Sequence, residues 1–254
     1  LYVNGVQEAT IPLSGVITYN IVDSDNLSIG YWGAAYLRAI NGSLDEVRIY
    51  SRALGANEVT RLYNTGASKL TSATSDTANG LVGHWKLDDR AGTRATDSSG
   101  RGNNGTLTNF ALAGATSNWL SGRLAGGLNF DATDDYVVIP DSSTFDLLNF
   151  TMSAWIKIPV NATFGRIISQ QSGNYWALIL SPTQLQVYAS LDTVSGVSKG
   201  PVLNDNQWHM VSLSRDTVND VMTWWIDGQS VGTEDTSSNT PYTIAATVFI
   251  SSSG

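Results

Sequence analysis

The chain repeats part of itself at a nearly fixed distance. Trp224-Trp225-Ile226-Asp227-Gly228 matches Leu1-Tyr2-Val3-Asn4-Gly5 at an offset of 223 residues, and Thr247-Val248-Phe249-Ile250-Ser251…Gly254 matches Asn26-Leu27-Ser28-Ile29-Gly30…Gly33 at an offset of 221. A constant internal offset marks a repeated structural unit and outranks any local pattern. It predicts that Leu1 lies in the middle of one unit and Gly254 in the middle of the next, so that the sequence is a window on a tandem array.

The residues between the repeated ends say which elements. Leu1-Tyr2-Val3 ends a strand and Asn4-Gly5 is a tight hairpin turn. Strands are expected around Leu27–Gly30 and Leu44–Tyr50, then a short helix at 56–63 capped by Gly55 and stopped by Asn64-Thr65-Gly66. Residues 67–80 carry a single large apolar side chain and read as a linker. From Leu81 the apolar runs return: Val82–Leu87, Leu124–Phe130, Tyr136–Ile139, Phe150–Ile158, Arg166–Ser169, Tyr175–Leu180, Leu185–Ser190, Trp208–Ser214 and Met222–Ile226. Turn-rich stretches separate them, the longest from Asp88 to Gly105. Strands at this spacing with no crossover helices predict an all-β protein, an antiparallel sandwich.

Composition narrows the function. The 254 residues include no cysteine, which excludes a disulfide framework and a thiolate metal site. Fourteen basic against twenty-two acidic residues give a net charge of −8, so no basic footprint for nucleic acid is present. No apolar run approaches the ~20 residues of a membrane-spanning helix, and membrane insertion is not expected.

Several stretches, taken in order, resemble the laminin G-like jelly-roll family of the concanavalin A-like lectin/glucanase type. They are Gly83-His84-Trp85-Lys86-Leu87-Asp88-Asp89, Thr96-Asp97-Ser98-Ser99-Gly100-Arg101-Gly102-Asn103-Asn104-Gly105-Thr106-Leu107 and Leu128-Asn129-Phe130-Asp131-Ala132-Thr133-Asp134-Asp135-Tyr136-Val137. Phe150–Lys157 and Trp208–Val211 follow. Leu44-Asp45-Glu46-Val47-Arg48-Ile49-Tyr50 resembles the family's closing strand, yet it precedes the opening one. Residues 1–66 therefore read as the C-terminal part of one unit and 81–254 as most of a second. Either both are fragments, or residues 34–66 complete 81–254, within the chain or from a neighbouring copy. The resemblance implies an extracellular or cell-surface, non-catalytic adhesion module binding glycans or cell-surface components. The alternative is a structural stalk or filament repeat, joined head to tail into fibres by strand exchange.

Candidate sites follow from residue type and resemblance together. Calcium prefers six to eight oxygens, which the Gly-rich turn from Asp97 to Gly105 could aim at one point. Asp97 and Asn104 are the first candidates and Asp88 a further one, and the resemblance adds Asp45; the competing role for Asp97 and Asn104 is Asx-type turn bonding. Asp131, Asp134 and Asp135 read as a solvated turn. Trp32, Trp176 and Tyr188 are candidates for a ligand surface against packing in the core. His84 and His209 lie in different strands with no cysteine or third histidine to join them, so a zinc site is not expected, and His209 reads as a strand residue with a satisfied ring nitrogen. The superfamily also carries glycoside hydrolases, which need two carboxylates across one sugar bond. Adjacent Asp45 and Glu46 should point to opposite faces of a strand, and no catalytic spacing of carboxylates occurs, so an enzyme is not expected.

Overall fold

The computed structural model describes residues 2–3, 6–7, 19–20, 27–30, 40–67, 79–111, 118–162, 165–170, 177–180, 187–190, 198–235 and 244–245. The first third of the chain holds β1 (Tyr2–Val3), β2 (Val6–Gln7), β3 (Tyr19–Asn20), β4 (Leu27–Ile29), β5 (Asn41–Tyr50) and helix α1 (Ala56–Ala67). Next come β6 (Leu81–Trp85), β7 (Arg94–Ala95), β8 (Gly105–Thr108), β9 (Trp119–Ser121), β10 (Gly126–Asp131), β11 (Tyr136–Ile139) and β12 (Phe150–Lys157). The remainder is β13 (Arg166–Gln170), β14 (Ala177–Leu180), β15 (Val187–Ser190), β16 (Ser198–Lys199), β17 (Trp208–Asp216), β18 (Val221–Ile226), β19 (Gln229–Asp235) and β20 (Ile244–Ala245).

These strands build two eight-stranded antiparallel sheets. One runs β19-β18-β17-β12-β5-β10-β9, with β6 also paired to β5; the other runs β16-β15-β14-β13-β4-β11-β8-β7. Alternation along β12 shows why the sheets stack. Phe150, Met152, Ala154 and Ile156 enter the core between the sheets, while Thr151, Ser153 and Trp155 lie on the other face. Opposite them in the second sheet, Leu27, Ile29, Val137 and Ile139 close the same core. The outcome is the antiparallel β-sandwich that the strand spacing predicts.

The earliest long strands in the chain occupy the middle of both sheets. β4 pairs with β11 on one side and β13 on the other. β5 pairs with β12 along one edge; its other edge is shared, with Asn41–Leu44 meeting β10 and Val47–Tyr50 meeting β6.

Where β10 gives way to β6, β5 carries one extra residue. Ser153 pairs with Arg48 but Trp155 pairs with Asp45, and Glu46 has φ 53°. This is a β-bulge, with a non-glycine residue in the left-handed region. A bulge resets the alternation, so Leu44, Val47 and Ile49 all face the core.

Helix α1 covers the outer face of the first sheet. Val59 and Leu62 pack there with Tyr50, Leu54, Trp155, Met210 and Trp225, and the Tyr63 ring stacks on Trp155 at 5.6 Å. The helix starts with the glutamate half of a capping box: the Glu58 carboxylate accepts from Gly55 N (3.0 Å), while Gly55 O accepts from Glu58 N (2.9 Å). It runs on through Asn64-Thr65-Gly66, which the sequence reads as a stop, to Ala67. Tertiary packing of its apolar face overrides the weak propensity of those three residues.

Candidate functional site

The bulge places two carboxylates on one face, which corrects the sequence reading. Asp45 stands opposite Trp155, whose side chain lies on the outer face, while Glu46 bonds the outward side chains of Arg48 and His84. Simple period-two alternation fails here because the bulge inserts a residue between them. Both acids are buried, at 0% and 4% exposure. Glu46 accepts from Arg48 and lies 2.8 Å from His84 Nε2. Burial opposes its charge, but His84 and Arg48 outweigh that and hold its pKa below the ordinary carboxylate value. For His84, burial is the main influence and lowers the pKa.

Among the described residues, no cation pairs with Asp45 in this way. Its Oδ2 accepts from Leu124 N at 3.0 Å, whereas Oδ1 is buried with no hydrogen-bond partner among the described residues. Burial raises its pKa to about 7; the Leu124 and Arg123 N–H groups pull it back, and the charges of Glu46 and Asp88 push it further up. Such an oxygen is costly unless something meets it.

The loop over Asp45 is the β9–β10 hairpin. Its Arg123 guanidinium lies 4.9 Å from the Trp155 ring centroid, and a bond from Gly122 N to Ala125 O closes the turn. Gly126 N donates to Asp88 Oδ1. A Cβ on Gly122 would stand 1.8 Å from Gly126 O and 2.6 Å from Asp45 Oδ2, and one on Gly126 would stand 2.9 Å from both Asp88 Oδ1 and Leu87 O. Glycine at 122 and 126 is what lets two carboxylates and two backbone carbonyls crowd together. Carboxylate and carbonyl oxygens are the donors that Ca²⁺ takes, and those of Asp45, Asp88, Leu87 and Gly126 lie beside this loop.

Asp97 and Asn104 sit in a turn of their own. Asp97 Oδ1 accepts from His84 N and Ser99 N, and Oδ2 from Ser99 Oγ and Asn103 N, at 2.8–3.0 Å. Burial opposes ionisation, but these donors outweigh it and lower the Asp97 pKa. Asn104 Oδ1 accepts from Asp97 N, and its amide donates to Gly102 O. Asp97 thus makes an Asx-type turn bond to Ser99 N, and Asn104 ties the far side of the turn back to Asp97.

Asp131, Asp134 and Asp135 converge within 4.8 Å at the β10–β11 turn. Their oxygens accept from Thr133 N, from Asn109 Nδ2, and from Asp131 N and Asn118 Nδ2 respectively. Asp131 and Asp134 are solvated; Asp135 is buried, and that burial, with its two acidic neighbours, raises its pKa to about 6 despite the Asp131 N–H.

Among the aromatic candidates, Trp32 and Trp176 fall outside the described residues, and Tyr188 is placed in β15 by its backbone alone. Trp224 enters the core between the sheets, while Trp155 and Trp225 face α1, all three at most 8% exposed. Sequence reasoning missed the Gly122–Gly127 loop as the partner of Asp45. The signal was there, in three glycines within six residues ahead of a strand.

Two stacked antiparallel sheets with the closing strand central to one of them define a jelly-roll-type sandwich. The chain belongs to the concanavalin A-like lectin/glucanases superfamily, its laminin G family model matching residues 1–60 and 131–253. No curated protein and no solved structure matches it. Domains of the laminin G kind are generally non-catalytic, although the superfamily includes glycoside hydrolases. No helix among the described residues is long and apolar enough to cross a membrane.

Proposed function

We propose that the chain is a non-catalytic recognition module acting outside the cell or at its surface, binding glycans or cell-surface components and holding Ca²⁺ at Asp45 and Asp88. The observation that carries the metal is the buried, partnerless Asp45 Oδ1 beside Asp88, beneath a loop whose glycines admit two further oxygens. The ion ties the loop to the closing strand and removes the cost of the orphaned oxygen. A non-catalytic role is supported by the burial of Asp45 and Glu46, which keeps both from a sugar bond. Glycan binding rests on family membership, with Trp32, Trp176 and Tyr188 as the surface that would stack on a sugar.

Two measurements test this. Millimolar Ca²⁺ raises the melting temperature of the wild type and EDTA reverses the rise, while Asp88→Asn abolishes the response. An unchanged melting temperature would remove the metal from the account. A glycan array with and without Ca²⁺ returns hits that Trp176→Ala loses. An array blank under both conditions would leave no basis for recognition of sugars.

A further inference from the structure

Asparagine followed by glycine can lose its side-chain amide without an enzyme, because glycine leaves the next backbone nitrogen open to reach the asparagine Cγ. Among the described residues the chain has three such pairs: Asn41-Gly42, Asn79-Gly80 and Asn104-Gly105. Two of them are locked. In β5, Asn41 pairs with Asp131 and Gly42 with Phe130. Gly105 begins β8 opposite Ala95, and the Asn104 amide is already engaged, with Oδ1 accepting from Asp97 N and Nδ2 donating to Gly102 O. Neither side chain can fold back over its glycine until a ladder opens.

Asn79-Gly80 differs in place and in company. It forms a turn just ahead of β6, with Asn79 exposed and Gly80 at φ 76°. Gly80 O accepts from Ser51 N at 2.8 Å and from Ser51 Oγ at 3.2 Å, and the Asn79 carbonyl accepts from Arg52 Nε at 3.0 Å. Glu58 holds the other two nitrogens of that guanidinium, and the arginine stem lies against Gly80, where a Cβ would stand 3.1 Å from Arg52 Cγ. The arginine contact bears on reactivity. The attacking group is the Gly80 amide after loss of its proton, and the resulting charge is shared with the Asn79 carbonyl oxygen. A cation donating to that oxygen stabilises the anion.

We propose that Asn79 is a self-modification site and that Arg52, by donating to its carbonyl, promotes the reaction. Gly80 N gives up its proton and bonds to Asn79 Cγ; the Cγ–Nδ2 bond breaks, and the amide leaves as ammonia, taking up that proton by way of water. A cyclic imide remains. Water then opens the ring at either carbonyl, giving aspartate or isoaspartate, with no oxidant, reductant or cofactor. Isoaspartate carries the main chain through the former side chain and leaves the old Asn79 carbonyl as a free carboxylate facing Arg52. The lengthened main chain moves Gly80 O away from Ser51, at the corner where β5 gives way to α1 and β6 begins.

The full chain, held in mildly alkaline buffer at physiological temperature and digested for peptide mass spectrometry, reports all three sites in one sample. Asn79 should deamidate about a hundredfold faster than Asn41 or Asn104, whose ladders must open first. It should also react faster in the native chain than in urea, where Arg52 no longer sits beside it. Arg52→Gln should slow Asn79 about threefold, the size of a solvent-screened charge interaction, and Arg52→Lys, which keeps the charge, should restore most of the rate. Equal rates at the three sites of the native chain overturn the proposal, and so does an Arg52→Gln chain that reacts at Asn79 as fast as wild type. Should Arg52→Gln unfold the chain, which a rise in the Asn104 rate reports, the wild type decides: a native Asn79 slower than the same residue in urea overturns the role of Arg52.

Discussion

His209 is held between two carboxylates, with Nδ1 2.8 Å from Asp227 Oδ2 and Nε2 3.2 Å from Asp205 Oδ1. Burial works against its charge, but the hydrogen bond and charge of Asp227, then those of Asp205, outweigh it and raise the pKa. A histidine whose folded pKa lies above the unfolded value of about 6.5 contributes stability that is full below that value. The contribution disappears as pH rises through the folded pKa. His209→Gln should therefore lower the melting temperature more at pH 5.5 than at pH 8.5, and an equal drop at both would refute the charged pairing. The satisfied ring nitrogens of His209 were legible from the sequence, since a strand histidine rarely stays unpaired when half-buried; the Glu46 partner of His84 was not foreseen. Neither acid was legible as a partner: Glu46 lies 38 residues from His84 and Asp227 lies 18 from His209.

Helix α1 depends on its first turn and its apolar face. Arg52 grips Glu58 through two nitrogens, at 2.8 and 2.5 Å, while Glu58 also caps Gly55. Glu58→Ala should cost about 1–2 kcal/mol, the size of a lost cap with a partly exposed ion pair. Leu62→Ala, in the cluster with Trp155 and Trp225, should cost about 2–5 kcal/mol. Urea denaturation followed by tryptophan fluorescence measures both, and a Leu62→Ala chain as stable as wild type would mean that the helix does not cover the sheet. Strands with strong alternation, such as β12, β17 and β18, were plain in the sequence. β19 was not, because Gln229-Ser230-Val231-Gly232-Thr233-Glu234-Asp235 is a polar edge strand with little apolar signal. β8 was hidden too: Gly105-Thr106-Leu107-Thr108 looks like the end of a turn, and its pairing with β11 and β7 makes it a strand. The bulge at Glu46 has no local sequence mark; it arises where β5 changes partners from β10 to β6.

At the scale of the whole molecule, the order of the strands along the chain is not their order in space. β4 and β5 come before all of β6 to β19 yet stand in the middle of both sheets, so most of the core closes around them. The sequence makes the closing strand recognisable and shows it to be early, but its place is a fact of long-range pairing that no local pattern carries. The account rests on that central place, and native-state hydrogen exchange of the intact chain tests it most directly. Backbone amides of Asn41–Tyr50 should exchange only through global unfolding, at the same free energy as those of Phe150–Lys157. Exchange of β5 at least a hundredfold faster than β12 would contradict it, because a strand built into the middle of the sheet cannot open while the sheet stays closed.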